Sequence, residues 1–170
     1  MSAEFTEYQA VLAKVDAKFA EIVAQRPGQY ACGAGCHSCC LPGLSVAQVE
    51  AAHIRAWLAE NPEALERVRA VLAERPHGHT RCALLDASGQ CTIYPVRPML
   101  CRAHGVPVRL REGEREQVDV CPKNLVDVSL ASLPPGECID QNLLATLLFV
   151  VGRRRDPGDD GRRIPLSELV

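Results

Sequence analysis

The sequence predicts a small α+β fold, mostly helical, in which short β-hairpins surround a cysteine-ligated metal centre. Three observations point there. Apolar residues recur at helical steps near both ends of the chain, over 3–25 and 138–151. Short alternating runs in the middle are punctuated by Gly, Pro and Asp, the residues of tight turns. Nine cysteines stand among the 170 residues, eight of them from Cys32 to Cys121. The helix–hairpin–hairpin–helix order is that of a small α+β domain.

Phe5, Tyr8, Leu12, Val15, Phe19 and Ile22 follow one another at steps of three and four, one face of an amphipathic helix over 3–25. Arg26-Pro27-Gly28 ends it. The stretch 30–43, Tyr-Ala-Cys-Gly-Ala-Gly-Cys-His-Ser-Cys-Cys-Leu-Pro-Gly, predicts a loop held by something other than a regular ladder. Ser45-Val-Ala-Gln48 has the form of a capping box and predicts a helix carrying Val46, Val49, His53, Ala56 and Trp57. Asn61-Pro62 reads as an N-cap with Pro at the first helical position, opening a helix with Leu65, Val68 and Leu72 that stops before Pro76. Residues 82–94 predict a hairpin with 86–89 in the turn, 98–102 one helical turn, and 106–110 with 117–120 a second hairpin across Glu112-Gly113. A last apolar helix covers 138–151. The expected organisation is a single cysteine-cluster domain over 1–152 and a charged, mobile tail over 153–170. The tail reading comes from 153–163, which hold five Arg and three Asp with Pro and two Gly.

Composition excludes several classes. Apolar residues at 47% and charged residues at 24% make a globular chain, and aromatics at 4% leave the core mostly aliphatic. Nineteen basic against 21 acidic residues give a net charge of −2, without the Lys and Arg excess that phosphate neutralisation needs. Nucleic acid is therefore not the expected partner. The longest apolar run, near 143–151, is far short of the ~20 residues that span a bilayer. The first residues lack the basic and apolar regions of a signal peptide, so the expected location is the cytoplasm, where thiols stay reduced. Nine is odd, so complete internal pairing into disulfides is impossible.

The chemistry lies in the cysteines. Cys32, Cys36, Cys39 and Cys40 form C-x3-C-x2-C-C in a Gly-rich loop, a spacing that lets thiolates converge on one centre. Cys82 and Cys91 bracket the predicted hairpin, Cys101 follows after a turn, and Cys121 begins Cys-Pro-Lys-Asn. These eight are the candidate metal ligands. The centre would join stretches far apart in sequence and couple metal binding to folding. Cys138 opens an apolar helix and reads as a small buried hydrophobe. In extended chain the neighbours Cys39 and Cys40 point apart, so they serve two adjacent metals or leave one thiol spare. Eight thiols suffice for two four-thiolate sites, or for one cluster with spares. Arg97 and Arg102 are candidates to donate hydrogen bonds to sulfur and offset its negative charge. Tyr94 and His53 read as core residues. His37 and His104 are further possible ligands, and His77 and His79 read as solvent-facing loop residues.

The run Cys32-x3-Cys36-x2-Cys39-Cys40, then Cys82-Ala-Leu-Leu-Asp, then Cys91-Thr-Ile-Tyr94-x2-Arg97-Pro98-x2-Cys101-Arg102 resembles the YkgJ-type cysteine-cluster family. The resemblance covers about residues 30–123 and implies a zinc- or iron-chelating domain. Related domains occur in flagellin lysine methylases, where an iron–sulfur cluster is implied; their activity is not carried over, because 170 residues leave little room for a methyltransferase domain.

Soft all-sulfur ligation selects zinc, iron–sulfur or copper(I). An iron–sulfur cluster is the first choice and zinc the second. The expected function is thiolate metal binding with a structural, redox-sensing or metal-handling role. The alternatives are an iron–sulfur enzyme or electron-transfer protein, and a carrier for iron, zinc or copper(I). The expected partner is the metal ion or cluster, with no nucleic acid and no membrane. No nucleotide loop or catalytic motif is visible.

Overall fold

Tyr8, Leu12, Val15 and Ile22 are buried along one stripe of helix α1, Thr6–Gln25, as their spacing requires. A single 3-10 turn, Ala3–Phe5, leads into it. The computed structural model describes residues 3–33, 35–74 and 80–170, about half of them helical. The stripe of α1 packs on helices α4, Met99–Ala103, and α5, Gln141–Arg155, with Met99, Val106, Ile139, Leu144 and Val151 in the shared core.

A second core lies on the other side of helix α2, Gln48–Glu60. Val49 of α2 belongs to the first core, whereas Ala51, Ile54 and Leu58 belong to the second. The second core also takes Ala64 and Val68 from helix α3, Pro62–Ala73, whose first residue is the expected proline.

The start of α2 differs from expectation. Ser45 does not cap a helix; Ser45–Val46 form strand β1, and the cap is Ala47. Glu50 reaches back to accept the Ala47 N–H at 2.8 Å, which satisfies one of the unpaired donors of the helix start. Glu50 also accepts the Met99 N–H at 2.9 Å, tying the α2 start to α4.

The expected hairpin at 82–94 is reduced to a turn and one antiparallel bridge, Leu85 to Cys91. Asp86 Oδ1 accepts the Ser88 and Gln90 N–H groups, both at 2.9 Å, and shapes the turn. The second hairpin is regular: β2, Val108–Glu112, pairs antiparallel with β3, Arg115–Asp119, and β4, Ile139–Asp140, adds in parallel on β2.

The tail also differs. Residues 153–170 are pinned to the body. Strand β5, Ile164–Pro165, pairs antiparallel with β1, and the Leu166 N–H donates to the Leu44 carbonyl at 2.9 Å. Ile164, Leu166 and Leu169 are buried in the second core. Charge at 153–163 suggested a solvated segment; three apolar side chains beyond it decide the outcome, because burying each stabilises by about 1.5–3 kcal/mol.

Candidate metal centre

The loop at 30–43 is built from successive tight turns. The Cys36 N–H donates to the Gly33 carbonyl at 3.1 Å, Cys40 to His37 at 3.0 Å and Leu41 to Cys39 at 2.9 Å. Two contacts fasten this loop to the bridge region. The Cys82 N–H donates to the Cys40 carbonyl at 2.7 Å. Gly89 lies against the His37 ring, which a Cβ at Gly89 would approach to 2.5 Å, and its φ of 79° is open to glycine.

These contacts place Cys36, Cys39, Cys40, Cys82, Cys91 and Cys101 around one cavity of about 600 Å³. Six of the eight candidate cysteines thus come together from three separate stretches. Leu100, His104 and Leu166 also line the cavity. Cys82 is buried; the other five are half-buried. Among the described residues, no group of three or more His, Cys, Asp or Glu side chains is placed to hold a metal ion, so the expected cysteine-ligated centre is not formed by these positions.

The thiols are electrostatically coupled. Burial, then the charges of neighbouring thiolates, pushes the Cys40 and Cys101 thiols up to about 12. Burial also raises Cys39 and Cys91. Several thiolates in one partly desolvated space oppose one another, and a cation removes the penalty for ionising them. The doublet differs from the extended geometry of the sequence reading. It lies in a turn, closed by the Cys40 N–H donating to the His37 carbonyl.

Cys32 and Cys121 stand just outside this cavity. Cys32 is exposed, and its Sγ accepts Asn124 Nδ2 at 3.2 Å. Asn124 is 2% exposed; its Oδ1 accepts the Ala31 N–H at 2.8 Å, and its own N–H donates to the Cys121 carbonyl at 2.8 Å. Gly105 closes against the same sulfur: a Cβ there would lie 2.8 Å from Cys32 Sγ. Cys121 is buried and lines a smaller pocket with Leu100 and His104, which also line the larger cavity. Sequence reasoning missed Asn124. Its only signal was Cys121-Pro-Lys-Asn124, a turn-forming tetrapeptide.

The two arginines separate. Arg97 lines the cysteine cavity, and its guanidinium stacks on the Tyr94 ring at 3.9 Å. Among the described residues Arg97 Nε is buried without a hydrogen-bond partner, and its charge lowers the Cys91 and Cys101 thiols against the effect of burial. Arg102, expected to face sulfur as well, is committed elsewhere. Its guanidinium donates to Asp16 at 2.6 Å, to the Arg97 carbonyl at 2.8 Å and to the Pro95 carbonyl at 2.9 Å. Tyr94, expected in the core, is 59% exposed because the Arg97 stack holds it at the cavity rim.

His53 is buried between the edges of Phe5 and Tyr8. Cys138 is buried with Leu125 and Leu133, its Sγ 3.6 Å from Arg109 Nη2. His77 and His79 lie outside the described residues.

A small α+β chain that gathers thiols from distant stretches around one cavity is, by class, a cysteine-cluster protein. Residues 31–122 match the CxxCxxCC family, described as a putative zinc- or iron-chelating domain; this covers more than half of the chain, which belongs to that family. No curated protein and no solved structure matches it. Among the described residues, no helix is long and apolar enough to cross a membrane.

Proposed function

We propose that the chain holds its zinc or iron through the thiolates of Cys32, Cys36, Cys39, Cys40, Cys82, Cys91, Cys101 and Cys121, with Arg97 as the neighbouring cation. The observation that carries this is the convergence of six cysteines on one cavity. The donor set fits: it is all sulfur, the ligand class that soft and borderline metals select. Arg97 fits too, since its buried Nε has no acceptor among the described residues and the residue lines a space that ligation would make anionic. In this reading the centre joins the loop at 30–43 to the segment 82–101, and the whole chain acts as one unit.

An iron–sulfur cluster is the first reading, because such clusters are held by four cysteine thiolates and more than four cysteines line this one cavity. Zinc is the second, because a centre that only joins two segments requires no redox chemistry. A bound cluster supplies one-electron chemistry; bound zinc supplies a redox-inert crosslink. Anaerobic purification followed by elemental analysis and an absorption spectrum tests both. A brown sample with iron and sulfide supports the first, and a colourless one with zinc the second. A chain free of metal, in which added zinc and iron leave the melting temperature unchanged, overturns the proposal.

A further inference from the structure

We infer that the groove between α1 and α2 is a binding site for a small, flat, uncharged molecule whose apolar body carries one hydrogen-bond acceptor, an aryl carbonyl being the simplest case. The groove is separate from the sulfur cavity: the two share no lining residue, and no described cysteine lines the groove. The inference therefore stands apart from the metal reading.

One stripe of each helix lines the groove: Gln9, Leu12 and Asp16 from α1, and His53, Trp57 and Glu60 from α2. The volume is about 410 Å³, in the range of small-molecule pockets. Phe5 and Trp57 add aromatic surface, which suits a flat apolar body.

His53 is the buried polar group of this groove, 8% exposed. The Phe5 and Tyr8 rings each meet it edge-on at 5.2 Å and hold the imidazole in place. Burial keeps the ring neutral. Gln9 Nε2 donates to His53 Nε2 at 3.3 Å, so the ring proton sits on Nδ1. Among the described residues His53 Nδ1 is buried with no hydrogen-bond partner. A buried donor left unpaired costs free energy until an acceptor reaches it, and an occupant of the groove supplies that acceptor. Charge decides against an anion. Asp16 already accepts Arg102 Nη1 at 2.6 Å, and Glu60 adds a second carboxylate at the groove.

Trp57 is the chain's only tryptophan, so its fluorescence reports the groove directly. Titration of the full-length chain with benzamide, toluene and benzoate tests the inference. Benzamide is expected to change the Trp57 emission saturably and to bind more tightly than toluene or benzoate. His53→Phe keeps a ring between Phe5 and Tyr8 but removes the donor. It is expected to weaken benzamide by about tenfold, the worth of one hydrogen bond to a buried group, and to leave toluene unchanged. Ala13→Phe, an exposed position that lines the groove, is expected to abolish the response to all three while the chain stays folded. Should His53→Phe not fold, the ranking of the three probes on the natural chain and their loss in Ala13→Phe still decide. No saturable response to benzamide, equal binding of benzamide and toluene, tighter binding of benzoate, or a response that survives Ala13→Phe overturns the inference. None of these outcomes bears on metal binding.

Discussion

Arg97 and Arg102 are five positions apart, yet their guanidinium groups sit in unlike surroundings. Arg97 reaches the sulfur cavity; Arg102 clasps Asp16 and two carbonyls. Arg97→Gln is therefore expected to lower zinc affinity by roughly tenfold in a chelator competition, because a charge opposite the thiolates is gone. Arg102→Gln is expected to leave that affinity unchanged and to lower the melting temperature. His53 gives a second test at this scale. Burial, then the charge of Arg102, holds its imidazole below the ordinary 6.5. The folded chain therefore prefers the neutral ring more strongly than the unfolded chain does. Its contribution to stability is present above pH 6.5 and is lost as pH falls below that value toward the folded-state pKa. Melting temperatures between pH 7.5 and 5.5 are expected to drop less for His53→Gln than for the natural chain.

At the scale of elements, local signals were read well where they were met locally. The stripe of α1, the proline opening α3 and the β2–β3 hairpin needed only periodicity and turn residues. Asp140 is a local signal that the reading of a helix from 138 passed over: its Oδ1 accepts the Leu143 N–H at 3.0 Å and caps α5, which starts at Gln141. Asp140→Ala is expected to cost about 1 kcal/mol in denaturant unfolding. Signals answered from far away misled. Ser45 resembles an N-cap, but its hydroxyl accepts Arg163 Nε at 3.1 Å, from 118 positions later, and its backbone joins β5. Arg102 resembles a sulfur neighbour, but Asp16 intercepts it. In the candidate centre the cysteines were legible because their spacing is unusual. Asn124 was not, because an asparagine in a turn carries no mark of the sulfur it touches.

Across the whole molecule, the two cores meet at α2 and the sulfur cavity borders the second, which the C-terminal segment completes. Leu166 belongs to both, packed in that core and lining the cavity. Leu166→Ala is expected to cost about 2–5 kcal/mol in stability. It is also expected to speed alkylation of Cys40 and Cys82, measured by mass spectrometry on the metal-stripped chain. A truncation before Ile164 is expected to do both more strongly, since it also removes the β1–β5 pairing.

Translation proceeds from the amino end, so every one of the eight sulfurs leaves the ribosome before the Leu166 wall exists. In the proposed reading, the thiols are open to an oxidant or an ion during that interval, and capture of the metal is a race between its supply and the arrival of the Leu166 segment.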